Sequence, residues 1–258
     1  MKITGNTILI TGGGSGIGLA LAEEFSTLGN KVIVAARSAR KLELAAAKGL
    51  QQLPVNMSAR ESIESLARTV VSRFPALNVV IHNAGIMKNE NLRSTDTSDI
   101  AVETIATNLA GPILLTTALL PHLLKQAEAT IMTVSSGLGF VPLAMTPTYS
   151  ATKAAIHSYT QSLRYQLKGT SVSIIELIPP YVQTELMGSR QLHDPAAMPL
   201  GQFIAEVMGI LKSQPSVTEI LVKRVHPLRF AASEGPDKYD AVYREMNDRV
   251  SAARTQEF

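Results

Sequence analysis

The sequence predicts an α/β fold: a doubly wound, Rossmann-type parallel sheet with helices on both faces, in a single domain over residues 1–258. Short runs rich in β-branched residues alternate with longer segments of helical periodicity. These runs are apolar along their whole length, as strands buried on both faces are. A cluster of glycines also joins the first run to the first helical segment, where a doubly wound sheet binds its ligands.

The elements follow in order along the chain. Strands are predicted at 7–11, 31–36, 78–82, 129–135, 172–178 and 219–223, with a short third strand at 53–56, where Pro54 is unfavourable for an inner strand. Helical patterns cover about 16–28, 38–48, 60–73, 98–120, 148–168 and 201–213. Residues 185–200, rich in turn residues and methionine, predict a flap, and a helix is predicted at about 236–253.

Composition excludes several classes of protein. The chain contains no cysteine, which excludes disulfides and thiolate chemistry and fits a reducing compartment. The net charge is only +3, and the basic residues are scattered among acidic ones, so no nucleic-acid surface is predicted. The apolar stretch at the N-terminus is too short for a signal peptide, and no membrane span is predicted. We therefore expect a soluble, cytoplasmic protein.

The glycine cluster, TGGGSGIG at 11–18, follows the first strand and opens the first helix. Its spacing differs from both G-x-G-x-x-G and the phosphate loop of nucleotide hydrolases. Glycines still permit close approach of the backbone, and a helix start offers N–H groups to a pyrophosphate. A tight turn without a ligand is the alternative, which five glycines in seven residues disfavour. The candidate cofactor-binding residues are Gly12, Ser15, Gly16, Ile17 and Gly18.

The end of the second strand predicts which dinucleotide binds. It reads VAARSARK, with Ala36 and Arg37 and no carboxylate to bind the ribose 2′-OH of NAD. A guanidinium can form paired hydrogen bonds to a 2′-phosphate and stack on adenine. NADP is therefore favoured over NAD, with Arg37 as the phosphate partner; an ordinary arginine at a helix start is the alternative.

The stretch YSATK places Tyr149 four residues before Lys153 in a helical pattern. Residues at i and i+4 share a helix face, so the phenol and the ammonium are expected to be neighbours. A nearby cation favours the phenolate, which predicts a lowered pKa for Tyr149 and a pair able to transfer protons. By itself this spacing also fits an ordinary pair on a protein surface.

In the helical pattern at 98–120, Asn108 is a poor helix former and Pro112 follows four residues later. Because proline has no N–H to donate to the Asn108 carbonyl, we expect a kink and a free carbonyl there. A polar residue on an exposed face is the alternative.

The order of the motifs along about residues 5–190 resembles that of the short-chain dehydrogenase/reductase superfamily. The motifs are TGGGSGIG, HNAG at 82–85, Asn108, SSG at 135–137, YSATK and IPPYVQT at 178–184. The resemblance implies that Tyr149 is the general acid/base, that Ser136 orients the substrate, and that Lys153 also holds the nicotinamide ribose. It implies that Asn108 holds a water linking Lys153 to solvent. Ser135 is one position away from the family's serine.

The same resemblance implies further cofactor contacts and shows departures from the pattern. The implied contacts are Asn56, Met57, Asn83, Ala84, Gly85, Pro179, Val182 and Thr184. Pro180 replaces the family's usual glycine, which stiffens the loop. His82 replaces the usual asparagine and is expected to be structural; no metal site is predicted.

The longer stretches HNAGIMKNENL and NLAGPILL resemble one branch of the superfamily, whose namesake oxidoreductase is encoded beside the genes for D-alanylation of lipoteichoic acid. That association defines no substrate.

We expect an NADP-dependent oxidoreductase acting on a small carbonyl or alcohol substrate; a non-catalytic NADP-binding regulatory or scaffolding protein is the alternative. An apolar stripe at Tyr239, Val242, Tyr243 and Met246 predicts a tail helix that blocks one family interface, so a homodimer is expected, with a tetramer as the alternative.

Overall fold

The computed structural model describes residues 1–93 and 97–255. Seven parallel strands form one sheet in the order β3-β2-β1-β4-β5-β6-β7. This order reverses direction beside β1, as in doubly wound nucleotide-binding sheets. The strands are β1 (Thr7–Thr11), β2 (Lys31–Ala36), β3 (Gln51–Pro54), β4 (Leu77–His82), β5 (Ala129–Val134), β6 (Val172–Ile178) and β7 (Glu219–Leu221). The predicted fold class is confirmed.

Helices cover both faces of the sheet because the buried strands are apolar on both faces. The helices are α1 (Gly16–Thr27), α2 (Ala39–Ala46), α3 (Arg60–Arg73), α4 (Ser98–Ile105), α5 (Gly111–Leu123), α6 (Pro147–Gln166), α7 (Ser189–His193), α8 (Leu200–Ser213), α9 (His226–Arg229) and α10 (Pro236–Thr255). Helices α1, α2 and α8 pack on one face around Phe25 and Phe203, and α3, α5 and α6 pack on the other around Leu115 and Leu119. The third strand lies two residues earlier than predicted.

The helical stretch predicted at 98–120 contains one turn of π-helix, Ala106–Ala110, between α4 and α5. The N–H of Gly111 donates to the carbonyl of Ala106, five residues earlier, which is the hydrogen bond of a π turn. The next residue, Pro112, has no N–H to continue the regular ladder. The irregularity predicted at Asn108 is thus present, in the form of a widened turn.

By length and hydropathy, the stretch Ser98–Leu123 could cross a membrane, although the sequence predicts no such span. It has 26 residues, and a window of 18 residues within it has a mean hydropathy of 1.3. Leu115, Leu119 and Leu123 are fully buried beneath the sheet. The core helix of a globular protein meets the same two criteria, and the packing of these leucines accounts for its apolar character.

Candidate active site

The sequence-predicted residues come together at one edge of the sheet. In a parallel sheet the carboxyl ends of all strands lie on the same side, so the loops after β1, β4, β5 and β6 are neighbours. These loops carry the glycine cluster, Asn83 to Gly85, Ser136 and Pro179 respectively. Helix α6 brings Tyr149 and Lys153 to the same edge.

The glycine loop is packed against the loop after β4. Gly12 has a φ of +67°, and a Cβ built on it would lie 2.8 Å from the Cα of Ala84. A Cβ on Gly18 would lie 2.4 Å from Nδ2 of Asn83. That amide donates to the carbonyls of Thr11 and Gly12, at 3.1 and 3.2 Å. The Asn83 side chain, expected to contact the cofactor, therefore holds the glycine loop in shape.

The start of α1 can accept an anion. The Ser15 side chain makes no cap hydrogen bond, and the first turn carries no acidic residue, so neither competes for the backbone N–H groups of this turn. Ile17 is half-buried and packs on the core. A Cβ on Gly16, which has a φ of +54°, would lie 3.4 Å from the Thr184 side chain, so the loop after β6 reaches the glycine loop.

A cation that sequence reasoning missed lies beside this loop. Nζ of Lys41, in α2, donates to Oγ of Ser15 at 3.0 Å and to Oε2 of Glu185 at 3.1 Å. Ser15 is 26 residues from Lys41 and Glu185 is 144 residues away, so no local sequence pattern connects them. The Lys41 ammonium is thus held between the glycine loop and the start of segment 185–200.

Arg37 follows β2 as predicted, and its side chain is exposed. One guanidinium nitrogen lies 3.6 Å from Oε1 of Glu103, whose other oxygen accepts from Lys88 at 2.6 Å. The hydrogen bond from Lys88, followed by the charges of Lys88 and Arg37, lowers the pKa of Glu103. The Arg37 side chain therefore faces α4 in this structure.

Asn56 and Met57 follow β3, at the carboxyl edge of the sheet. Oδ1 of Asn56 accepts from the backbone N–H and the hydroxyl of Ser58, at 3.1 and 2.9 Å. Met57 is buried, and a Cβ on Gly111 would lie 2.4 Å from its carbonyl oxygen. Oδ1 of Asn56 is therefore already bonded to Ser58 in the same turn. The Met57 carbonyl limits how closely α5 approaches this turn.

Tyr149 is buried, with 6% of its surface exposed, which overturns the alternative of an ordinary surface pair. Burial raises the pKa of Tyr149 to about 12, and the side-chain hydrogen bond with Ser136 acts in the opposite direction. The predicted lowering is therefore wrong for this structure, because removing the phenol from water outweighs the stabilisation of the phenolate. Oγ of Ser136 also accepts from the N–H of Leu138 at 3.1 Å, which fixes its position.

Lys153 lies one helical turn after Tyr149 and is also buried. Its Nζ donates to the carbonyl of Val134 at 2.8 Å and lies 5.5 Å from the centre of the Tyr149 ring. Burial lowers the pKa of Lys153 to about 8, and the carboxylate of Glu176 opposes that change. The ammonium is therefore close to the phenol, while its hydrogen bond goes to the backbone of β5.

Asn108 is buried rather than exposed, so the surface alternative is wrong. Its side chain pairs with both backbone groups of Ile86: Oδ1 accepts from the N–H and Nδ2 donates to the carbonyl, each at 2.8 Å. A Cβ on Gly85 would lie 3.4 Å from Oδ1 of Asn108 and 3.8 Å from Nζ of Lys153. The π turn thereby brings Asn108, Gly85 and Lys153 together.

The loop after β6 contacts the serine loop. The carbonyl of Pro179 accepts from the N–H of Gly137 at 3.0 Å. Val182 and Thr184 are buried, and Gln191 holds both: its Nε2 donates to the Val182 carbonyl at 2.7 Å and to Oγ1 of Thr184 at 3.1 Å. Val182 also forms a β-bridge with Met198, which closes the base of segment 185–200.

Two further buried residues lie near the site: His82, which the sequence predicts to be structural, and Glu90, which sequence reasoning did not identify. Nε2 of His82 pairs with Oγ1 of Thr116 at 2.9 Å, and burial lowers the pKa of His82 to about 4, so it is a neutral core residue as expected. Glu90 was missed: its carboxylate accepts from the N–H and the hydroxyl of Thr148, at 3.0 and 2.6 Å. A carboxylate at this helix start stabilises α6, which carries Tyr149.

The doubly wound sheet, the glycine loop and the helix start beside it define a nucleotide-binding protein of the Rossmann type. The family model described as short chain dehydrogenase matches residues 6–194. The chain belongs to the short-chain dehydrogenase/reductase family and is an oxidoreductase of that family.

Relatives of this chain support the branch expected from the sequence. The uncharacterized oxidoreductase DltE of Bacillus subtilis (strain 168) is 38% identical over 260 residues, covering 96% of this chain and 98% of the relative. An uncharacterized oxidoreductase of Staphylococcus aureus (strain MW2) is 30% identical over 232 residues, covering 86% of this chain and 99% of the relative.

Solved structures share the fold. A short-chain dehydrogenase from Sphingobium yanoikuyae, in complex with NADPH, is 22% identical with a TM-score of 0.76, covering 89% of this chain and 92% of that one. One from Burkholderia cenocepacia, in complex with NADP, is 21% identical with a TM-score of 0.78, covering 96% and 99%. One from Burkholderia phymatum, in complex with NAD, is 20% identical with a TM-score of 0.75, covering 91% and 95%.

Proposed function

We propose that this protein is an NADP(H)-dependent oxidoreductase that interconverts a carbonyl group and an alcohol, with Tyr149 as the general acid/base. One observation carries the proposal: a buried phenol lies beside a serine hydroxyl on one side and an ammonium on the other. In a site that excludes water, a positioned donor can transfer a proton to a substrate oxygen as charge develops there.

Each side chain of the group has a separate role. Tyr149 gives the proton to the substrate oxygen in reduction and takes it back in oxidation. Ser136, held by Leu138, donates a hydrogen bond to the same oxygen and limits its movement. The Lys153 ammonium, 5.5 Å from the phenol ring, stabilises negative charge on Tyr149 when the proton leaves. The nicotinamide cofactor, when bound, supplies or accepts the hydride.

Asn108 supports this group in two ways under the proposal. Its side chain holds the segment after β4 through Ile86, at 2.8 Å in both hydrogen bonds. Its backbone carbonyl lies in a π turn, a feature often found at functional sites. We assign that carbonyl to a water that links Lys153 to solvent.

We propose that the pyrophosphate of the cofactor binds at the glycine loop, Gly12 to Gly18, and at the start of α1, whose first turn carries no acidic residue. The adenine side of the cofactor then lies near Asn56 and Met57. The nicotinamide side lies near Ala84, Gly85, Pro179, Val182 and Thr184. NADP is preferred because Arg37 and Lys41 offer two cations near the end of β2 and no carboxylate ends that strand. NADPH and NADP in two of the related structures are consistent with this choice, and NAD in the third shows that the fold alone does not decide it.

The substrate pocket is assigned to the space between the Tyr149 phenol and segment 185–200. Leu186, in this segment, and Tyr181, whose hydroxyl donates to Asp194 of the segment, have 39% and 43% of their surface exposed. They favour a small, uncharged carbonyl or alcohol. We further propose a homodimer and a cytoplasmic location, the latter in keeping with a chain that has no cysteine.

The test is a panel of aldehydes, ketones and alcohols followed by the absorbance of NADPH, with Tyr149→Phe beside the wild type. Removing only the phenol oxygen should lower kcat by about 10²–10⁴ while NADPH still binds, because proton transfer is lost and the packing remains. A Tyr149→Phe variant with wild-type kcat would remove Tyr149 from the reaction. NADPH binding without turnover of any class in the panel would favour the regulatory alternative.

A further inference from the structure

A cluster of charged side chains lies next to the proposed site, between α6, β6 and β7. His157 follows Lys153 by one helical turn on α6, so both share a face of that helix. Nδ1 of His157 lies 2.8 Å from Oε2 of Glu176, in β6, whose side chain is fully buried. The second oxygen of Glu176, Oε1, is also buried and has no hydrogen-bond partner among the described residues.

The cluster extends to β7 and α9. Glu219, in β7, accepts two hydrogen bonds from Arg229, in α9, at 2.9 and 3.1 Å. The ring of Phe140, in the serine loop, lies 4.6 Å from the His157 ring and 4.7 Å from the Arg229 guanidinium. His157, Glu176 and Glu219 place their ligand atoms within 4.8 Å of one another. Arg229 already pairs both oxygens of Glu219. We therefore infer that side chains, and not a metal ion, neutralise the Glu219 carboxylate.

Of the two carboxylates in this cluster, Glu176 is the one without an ion pair to arginine or lysine among the described residues. Arg229 neutralises Glu219, and His157 orients Glu176 through one oxygen only. Lys153 is a buried ammonium that donates a hydrogen bond to the uncharged carbonyl of Val134. A buried lysine without a counter-charge loses its proton readily, because burial penalises the charged form. The attraction of Glu176 acts against that penalty.

We propose that Glu176 is a positioning residue of the reaction: its buried carboxylate, oriented by His157, keeps Lys153 charged beside Tyr149. The proposal rests on the function proposed above for Tyr149 and Lys153. Glu176 touches neither substrate nor cofactor and acts only through Lys153. The charged groups around it are His157 from α6, at 2.8 Å, Glu219 from the neighbouring strand β7, and Lys153 from α6, whose charge interacts with it. Arg229, from α9, pairs with Glu219.

The pH dependence of kcat tests this assignment. Reduction needs a charged Lys153, so kcat should fall at high pH, where Lys153 loses its proton. We call this falling part of the plot of kcat against pH the alkaline limb. In Glu176→Gln the carboxylate is replaced by a neutral group of the same shape, and the alkaline limb should move down by about one pH unit or more. Near pH 6 the variant should approach wild-type kcat. Glu176→Asp keeps the charge and should restore most of the alkaline limb.

Glu90→Gln is the matched control, because Glu90 is a buried carboxylate that contacts Thr148, beside Tyr149, and not the Lys153 cluster. It should lower stability without moving the alkaline limb. Should Glu176→Gln not fold, His157→Gln leaves the carboxylate but removes its orienting partner, and a downward movement of the limb is still expected.

The result that overturns the inference is a folded Glu176→Gln or His157→Gln variant with the wild-type alkaline limb. Equal movement of the limb in Glu90→Gln would also overturn it, since the effect would then not depend on Lys153. A stoichiometric metal ion in the purified protein, with a profile that changes on chelation, would assign the cluster to metal instead. Inactivity of the wild type on every substrate class would contradict the proposed function itself, which is a different outcome.

Discussion

Asn247 bridges two backbone groups of the loop that joins Ser136 to Tyr149. Its Oδ1 accepts from the N–H of Ala144 at 2.6 Å, and its Nδ2 donates to the carbonyl of Pro142 at 3.2 Å. Asn247 lies in α10, more than 100 residues further along the chain. The last helix therefore supports the loop between two of the proposed catalytic residues.

Asn247→Ala should loosen this loop. Losing two hydrogen bonds to the backbone should reduce the free energy of unfolding by about 1–2 kcal/mol, because each contributes about 1 kcal/mol. KM for the substrate should rise and kcat fall several-fold, while the Kd of NADPH stays unchanged, since the glycine loop is held by other contacts. Asp248→Ala, an exposed neighbour in the same helix, is the control. Unchanged substrate kinetics in Asn247→Ala would show that α10 does not position the loop.

His82 should make stability depend on pH. Its pKa is about 4 in the folded protein, against 6.5 for an unperturbed histidine, because burial penalises the charged ring. Between these values the unfolded chain binds more protons than the folded one, so stability is present above pH 6.5 and is lost as pH falls towards 4. The full loss is about 3 kcal/mol. Urea unfolding from pH 7.5 to 4.5 should show most of this loss.

The variant for this test is His82→Gln, whose amide can replace Nε2 at Thr116 without titrating. Its free energy of unfolding should change less over that pH window than in the wild type. His226→Gln, at an exposed histidine, should keep the wild-type dependence. Identical pH profiles for His82→Gln and the wild type would mean that other groups cause the loss.

Gly12→Ala and Gly29→Ala separate backbone strain from steric contact. Both glycines have positive φ, +67° and +80°, so both alanines are strained by about 1–2 kcal/mol. A Cβ on Gly29 meets no atom within 4 Å, whereas one on Gly12 lies 2.8 Å from the Ala84 backbone. Gly12→Ala should therefore cost about 1–3 kcal/mol more and weaken NADPH binding at least tenfold. Unfolding measures the loss of stability and fluorescence titration the loss of NADPH affinity. Equal losses in the two variants would show that the contact between residue 12 and the Ala84 backbone has no effect.

The cofactor preference should depend on two cations. The wild type should bind NADPH more tightly than NADH, and Arg37→Asp should reverse that order by placing a carboxylate near the 2′-phosphate. Lys41→Ala should weaken NADPH about tenfold, because a charged hydrogen bond is lost, and leave NADH nearly unchanged. Arg40→Ala, also exposed and in α2, is the control. Equal affinity of the wild type for both nucleotides would remove the 2′-phosphate assignment.

The sequence predicts the sheet well because its inner strands are continuous apolar runs, a local signal. It also places Tyr149 and Lys153 on one helix face, but burial depends on what packs over that face, and burial decided the direction of the Tyr149 pKa. Asn83 and Asn56 were identified as site residues, yet their side chains bond to nearby backbone. An amide can both donate and accept, so its partner cannot be read from its type.

The residues that were missed share one property. Lys41, Glu90 and Glu176 have partners 19 to 144 residues away, at Ser15, Glu185, Thr148 and His157. A charged side chain in a sequence is usually a solvated one, and only the fold brings these groups together.

Assembly provides the last prediction. Val102 and Ile105, on α4, have 68% and 46% of their surface exposed, and Ala151 and Ala154 are exposed on α6. Apolar and small side chains on adjacent helices allow close approach across a two-fold axis. The stripe on α10 is half-covered by its own subunit, so the tail offers less surface to a neighbour. We therefore expect a dimer through α4 to α6.

Light scattering coupled to size exclusion should give twice the subunit mass of 27.7 kDa at micromolar concentration. Val102→Arg and Ala154→Arg should each shift the protein towards the monomer, because an arginine at the centre of a two-fold contact meets its own copy and like charges repel. Leu44→Arg, at an equally apolar exposed position on the opposite face of the sheet, should leave the dimer intact. Deleting residues 235–258 should allow a larger assembly, because α10 then no longer blocks the second face. A tetramer in the full-length protein that persists after this deletion would show that the tail does not control assembly.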